Sequence, residues 1–250
     1  MTPTIGWALW AHPVRSAWAT ELQASLDRPV DIIYDTNPVP SKDPQQRWAV
    51  CRRVLEHAAS QGQQYVGWIQ DDALVCRDYT AAVSAALGAA GSEILLSPYT
   101  GAGRPNQENV RRAIRHAELN HTPWLSTTSL NWGVSVVFPT RLVEDVLRIG
   151  SRSQFRYAPS DYRVGVVLRD RVAPTMRSWY LHPSLCEHRD EASLVGHDKP
   201  GQARIAHRFI GTGSSGLDVD FATLPAGDLD EDGNLQVSPS TRRVTTGIVR

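Results

Sequence analysis

Apolar residues along the chain switch between two spacings. Ile5 to Trp10 is a continuous apolar and aromatic run that stops at His12-Pro13, and Trp18, Leu22 and Leu26 then recur at helical spacing. That order predicts a buried strand followed by an amphipathic helix. The unit repeats. Val30 to Tyr34 reads as a short strand, the segment with Pro38 and Pro40 as a loop, and Pro44 as the first residue of a helix carrying Trp48, Val54 and Leu55. Tyr65 to Ile69 is the next strand, Asp78 is the expected cap of a helix through Ala81 to Leu87, and Glu93 to Leu96 is another strand. A helix over Gln107 to Leu119 follows, rich in arginine on one side. Strands that alternate with helices predict a mostly parallel sheet flanked by helices.

The second half is less regular. A strand at Val134 to Phe138, helices at Arg141 to Leu147 and Asp161 to Leu168, and a strand at Arg177 to Leu181 predict an antiparallel extension of that sheet. From Gly211 the chain turns to Gly, Ser, Asp, Thr and Pro with scattered apolar residues. This divides it into a domain over 1–210 and a flexible, extended or disordered tail over 211–250. Neither GxxxxGK[ST] nor a GxGxxG after the first strand is present, so no standard phosphate loop or dinucleotide fingerprint accounts for the fold.

Composition narrows the function without choosing it. The 250 residues suit one large α/β domain with a substantial core. Formal net charge is zero, so whole-chain electrostatics predict no strong pull toward nucleic acid or anionic membranes. Lys42 and Lys199 are the only lysines, and arginine supplies the other cations. Cys51, Cys76 and Cys186 form no CxxC pair and no even framework, which fits a reducing cytoplasm. No basic n-region with an apolar core opens the chain and no apolar run reaches bilayer length, so a soluble, unprocessed protein is expected.

The chemistry concentrates where the strand Tyr65-Val66-Gly67-Trp68-Ile69 runs into Gln70-Asp71-Asp72. Ligands of α/β sheets sit at the carboxyl ends of strands. Adjacent carboxylates repel and lose hydration unless a cation offsets them, and a hard divalent ion is a natural occupant. The same two residues would also serve simply to start a turn.

In context the segment Gly67-Trp68-Ile69-Gln70-Asp71-Asp72-Ala73 resembles the EDD-type variant of the DxD signature of GT-A glycosyltransferases, with Gln70 where an acidic residue is common. Downstream, His182-Pro183-Ser184-Leu185-Cys186-Glu187-His188 is similar to the segment that closes several GT-A catalytic domains. The resemblance implies a GT-A-like, Rossmann-like mixed sheet and a nucleotide-diphosphate sugar donor, most often a UDP-sugar. It also implies Mn²⁺ or Mg²⁺ held by Asp72 and His188, with Asp71 touching the donor. Asn131-Trp132-Gly133-Val134-Ser135 resembles the small-residue segment that approaches the donor sugar, where Gly133 admits close backbone contact. In inverting members an acidic residue between these segments is the general base, a role that falls here to Asp161 in Pro159-Ser160-Asp161-Tyr162. Asp161 equally fits the first turn of a helix, where a carboxylate favours the dipole.

Position in the inferred fold adds His12 and Arg15 after the first strand, for the nucleotide and its phosphates, and Asp35 after the second, for a ribose or base hydrogen bond. His182 and His197 flank the closing segment as weaker candidates. The loop Ser97 to Asn106 is a candidate lid on the acceptor side. The acceptor stays open among protein hydroxyls, a glycan, a lipid-linked sugar and a hydroxymethylated base in phage DNA. Arg111, Arg112 and Arg115 are the feature that keeps nucleic acid in consideration. Two other classes compete: a nucleotidyltransferase, whose glycine- and lysine-rich phosphate loop is replaced here by His12-Pro13-Val14-Arg15, and a non-catalytic binding module on a GT-A-like shell.

Overall fold

The structure is a computed structural model that describes residues 2–91, 93–103, 107–127, 129–189, 194, 204–223, 227–229 and 235–236. Its strands are β1 (Ile5–Ala11), β2 (Asp31–Tyr34), β3 (Tyr65–Gln70), β4 (Ala73–Val75), β5 (Leu95–Ser97), β6 (Trp124–Thr127), β7 (Ser135–Pro139), β8 (Ser178–Leu181), β9 (Cys186–His188), β10 (Gly227–Leu229) and β11 (Leu235–Gln236). The helices are α1 (Ser16–Ser25), α2 (Pro44–Ser60), α3 (Tyr79–Ala90), α4 (Gln107–Leu119), α5 (Val143–Gly150) and α6 (Ser160–Val167), the last continued by a π-turn over Leu168–Val172.

The main sheet runs β11-β10-β6-β8-β5-β7-β3-β1-β2, and β4 pairs separately with β9. Strands β1, β2, β3, β5, β8 and β11 point one way and β6, β7 and β10 the other. The result is a mixed sheet flanked by helices, with its parallel strands joined by an antiparallel extension as expected from the sequence. Period-two alternation sends successive strand residues to opposite faces. From β3, Tyr65 and Ile69 join α1 and α3 in one core, while Val66 and Trp68 join α2, α5 and α6 in the other. A third cluster lies under α4, where Val110, Ala113, Ile114 and Ala117 cover Leu125 and Tyr180 and leave Arg111, Arg112 and Arg115 exposed.

One detail departs from the sequence reading. Asp78 does not cap α3: it stands at φ 59 with no side-chain cap bond. The cap comes from Asp27, whose carboxylate accepts from the backbone N–H of Thr80 and Ala81 and from the Thr80 hydroxyl. Asp78 instead accepts from the Ser215 hydroxyl at 2.6 Å. Of the segment 211–250, residues 211–223 form turns and a short 3₁₀ helix at Gly216–Asp218 that pack on the domain. Gly216 lies against Ala82 and Cys76, where a Cβ would come within 2.6 Å of the alanine methyl. Phe221 is buried edge-on to Trp124, and β10 adds itself to β6.

Topology fixes where ligands meet the sheet. Strands β1, β2 and β3 are parallel, so Ala11, Tyr34 and Gln70 end at one edge, followed by His12, Asp35 and Asp71. Strand β7 is antiparallel to β3, so its leading residues Gly133 and Val134 arrive at that same edge, where Val134 C=O accepts from Gln70 N–H at 2.9 Å.

Candidate active site

A cavity of about 560 Å³ opens at this edge. That size falls within the range of small-molecule pockets. His12, Arg15, Asp35 and Asp71 line it from the β1, β2 and β3 ends, and Asp72, Gly133, Asp161 and His188 complete it from the other side. These eight residues, named from sequence, line one cavity. His182 is not among its lining residues: it is buried against α4, with Nε2 3.2 Å from Glu118 and its ring 5.4 Å from His207. Burial pushes the His182 imidazole below its ordinary pKa, against a smaller opposing pull from Glu118. His197 lies outside the described residues, as does the 104–106 part of the expected lid, while Tyr99, Gly101 and Gly103 from the same loop line the cavity.

The carboxylate pair is held in three ways. Asp71 Oδ2 accepts from the His12 backbone N–H at 2.7 Å, and Asp71 Oδ1 lies 3.3 Å from Arg15 Nη1. The same Nη1 reaches Asp72 Oδ2 at 2.6 Å. Asp71 and Asp72 are each 5% exposed, and the Asp71 carboxyl is pushed up to about 6. Loss of hydration is the main cause and the charge of Asp72 the next, while the His12 N–H and Arg15 pull the other way. One guanidinium and one amide therefore do not fully offset two buried carboxylates.

His188 reaches Asp72 through a backbone ladder. Strand β9 pairs with β4 so that His188 stands opposite Ala73, and Arg189 N–H donates to Asp72 C=O at 2.8 Å. His188 Nδ1 is 2.6 Å from the Arg189 carbonyl. A carbonyl only accepts, so Nδ1 carries the hydrogen, and in the neutral ring Nε2 presents a lone pair. That Nε2 sits 3.3 Å from Asp72 Oδ2, while Asp72 Oδ1 is buried with no hydrogen-bond partner. An imidazole lone pair facing a carboxylate, with the other ring N–H tied to a carbonyl, is the arrangement of a metal-ligating histidine. The donor set of Asp72 and His188 fits a divalent ion on these grounds. Among the described residues no three His, Cys, Asp or Glu side chains gather as a ligand cluster, so such an ion would need further oxygens from a ligand or water.

The remaining residues divide by what they already touch. His12 Nδ1 accepts from Val14 N–H at 3.2 Å, which leaves Nε2–H as a buried donor without a partner at the cavity wall. Asp35 folds into an Asx turn, its Oδ1 accepting from Asn37 N–H and side-chain amide at 2.9 and 3.1 Å. Gly133 is required by Asp161: a Cβ there would stand 2.6 Å from Asp161 Cβ and 2.9 Å from its Oδ2. The missing side chain thus admits the carboxylate into the cavity, and Asp161 Oδ1 accepts from Tyr162 N–H at the start of α6.

Arg47 is the lining residue that sequence reasoning missed. It sits in the first turn of α2, its Nε is buried without a partner, and Asp161 and Asp43 act on it through space while burial lowers its pKa. A cation in a helix first turn runs against the macrodipole, and that was the available signal.

The fold and site together define an α/β protein with paired carboxylates, a histidine and a further acidic residue around one cavity at the carboxyl edge of its sheet. No protein-family profile matches the chain, and no curated protein matches it. Among solved structures, it is similar to a glycosyltransferase involved in the glycosylation of the major capsid of PBCV-1, at 10% identity and TM-score 0.40, over 75% of this chain and 94% of that one. Among the described residues no helix is long and apolar enough to cross a membrane.

Proposed function

We propose that this chain is a glycosyltransferase that moves a sugar from a nucleotide-diphosphate sugar, a UDP-sugar first among them, to an acceptor hydroxyl. The observation that carries the reading is the convergence of Asp71, Asp72, His188 and Asp161 on one cavity with the cationic Arg15 and the unpartnered His12 Nε2–H. Asp72 and His188 would hold Mn²⁺ or Mg²⁺. Such an ion supplies charge neutralisation for a departing nucleoside diphosphate. Arg15 and His12 offer donors to phosphate oxygens, and Asp35 keeps one carboxylate oxygen outside its Asx turn for a ribose or base contact.

Asp161 lines the cavity apart from the Asp71–Asp72 pair and opposite Gly133, and it is assigned the base of an inverting transfer. Its oxygen takes the proton of the acceptor hydroxyl, the acceptor oxygen bonds to the anomeric carbon, and the bond to the diphosphate breaks with its electron pair leaving on the phosphate. The acceptor is a hydroxyl of a protein, a glycan or a modified DNA base.

The test is incubation with UDP-glucose, UDP-galactose, UDP-GlcNAc and GDP-mannose plus Mn²⁺, scored by mass spectrometry for hydrolysis, alongside melting curves. One donor should be turned over slowly and raise the melting temperature. Unchanged melting and no hydrolysis across the whole panel would sink the enzyme reading.

A further inference from the structure

The residue that engages the carboxylate pair most closely is Arg15, and its geometry bears on how the site is loaded. A single nitrogen, Nη1, contacts Asp71 at 3.3 Å and Asp72 at 2.6 Å. On Asp72 the contacted atom is Oδ2, the same oxygen that faces His188 Nε2 at 3.3 Å. The cation already present therefore occupies the oxygen that lies between the two groups able to hold a divalent ion. Arg15 is 8% exposed and its guanidinium lies over Trp18 at 5.0 Å. The same indole carries Arg189 at 5.3 Å, and Arg189 is anchored to Glu21 at 2.8 Å.

We infer that Arg15 is a resident counter-ion that keeps a divalent metal off Asp72 and His188 until a nucleoside diphosphate draws it away, so that metal and donor load together. This rests on the nucleotide-sugar reading, because the diphosphate is what Arg15 moves to. The charge balance gives the reason. With Arg15 in place the pair carries one net negative charge, and a divalent ion entering beside the guanidinium meets a like charge within a few ångströms among buried side chains. A diphosphate brings enough negative charge for both cations. The Arg15 side chain then trades one pair of acceptors for another of the same kind, since phosphate oxygens suit a guanidinium as well as carboxylates do. Trp18 offers an apolar face beside the guanidinium where it stands.

The experiment is a titration of Mn²⁺ followed by the loss of its free-ion electron paramagnetic resonance signal, with UDP as the probe nucleotide and no turnover needed. The wild-type chain should bind Mn²⁺ weakly alone and at least about tenfold more tightly with saturating UDP. Arg15→Gln, which keeps a donor toward Asp72 but removes the charge, should bind Mn²⁺ alone at least about tenfold more tightly than wild type and gain little from UDP. Arg15→Lys, which keeps the charge, should stay weak without UDP. Equal Mn²⁺ affinity of the wild type with and without UDP overturns the proposal, whatever the fate of the variants, and so does an Arg15→Gln chain no tighter than wild type. In either case bound UDP would leave the glycosyltransferase reading standing. Absence of any UDP binding by calorimetry, with or without Mn²⁺, would remove that reading and this inference together.

Discussion

Two buried charged groups, Arg163 and the Asp71–Asp72 pair, are treated in opposite ways. Arg163 is 0% exposed, yet it lines no part of the cavity. Its guanidinium donates to the carbonyls of Gly150, Phe155 and Ala158 at 3.2, 2.6 and 3.1 Å and lies over the Trp48 ring at 4.7 Å. Those acceptors are neutral and belong to the backbone, so the cation holds the turn between α5 and α6 from outside the cavity, with its Nε buried and without a hydrogen-bond partner. The carboxylates are held by a long side chain and one amide, His188 Nε2 faces Asp72 Oδ2 at 3.3 Å, and Asp72 Oδ1 is left over. A buried charge tied to backbone carbonyls away from the cavity is architecture. A buried charge at the cavity wall, with an acceptor unspent there, is equipped to take something up.

The contrast is broken most directly by deleting each charge. Asp72→Ala should lower donor turnover by about 10³-fold or more while the chain stays folded, since Arg15 keeps Asp71. Arg163→Met should do the reverse. Three carbonyls lose their donor, stability falls by about 3 kcal/mol, and turnover per folded molecule is unchanged. Melting curves beside initial rates check both, and equal effects on both quantities in either variant would erase the distinction. Asp161→Asn sharpens the division within the cavity, with turnover lower by about 10²-fold and UDP affinity within a few-fold of wild type. Weakened UDP binding would move Asp161 from the acceptor to the donor.

The smallest effect is in pH. The Asp71 carboxyl titrates higher in the folded chain than the ordinary 3.8, at about 6, so the native state holds its proton more tightly than the unfolded one. Stability without added metal should therefore fall as pH rises from about 4 to about 6, by about 2 kcal/mol from this group, and level off above. Asp71→Asn should remove that slope in chemical denaturation. A wild-type slope of opposite sign, tracing to Asp71 by its loss in the variant, would mean that Arg15 over-compensates the pair.

How far the sequence reached follows from what local pattern encodes. Helix α2 starts at Pro44 and α4 runs from Gln107 to Leu119 as predicted, and Asp71 and Asp72 were legible because a hydrophobic strand broke into acid. Strand β6 was not. Trp124-Leu125-Ser126-Thr127 is buried throughout, but Ser126 and Thr127 give it no apolar run, and its place between β8 and β10 comes from tertiary contacts alone. Arg15 was assigned to a phosphate on position. Its grip on both carboxylates depends on a turn at Pro13–Arg15 that no spacing announces. The Asp27 cap on α3 joins residues 53 apart for the same reason.

The β4–β9 ladder has one more consequence, concerning time rather than space. Chains fold from the N-terminus as they leave the ribosome. Trp48 and Arg163, the two sides of the structural cage, both precede the Cys186–His188 strand along the chain. The acidic strand end must therefore wait for a later strand to pair beside Ala73 and deliver His188. The Arg189 amide, which donates to Asp72 C=O, is a reporter of that last event: its slow hydrogen exchange would date the moment at which the scaffold becomes a site.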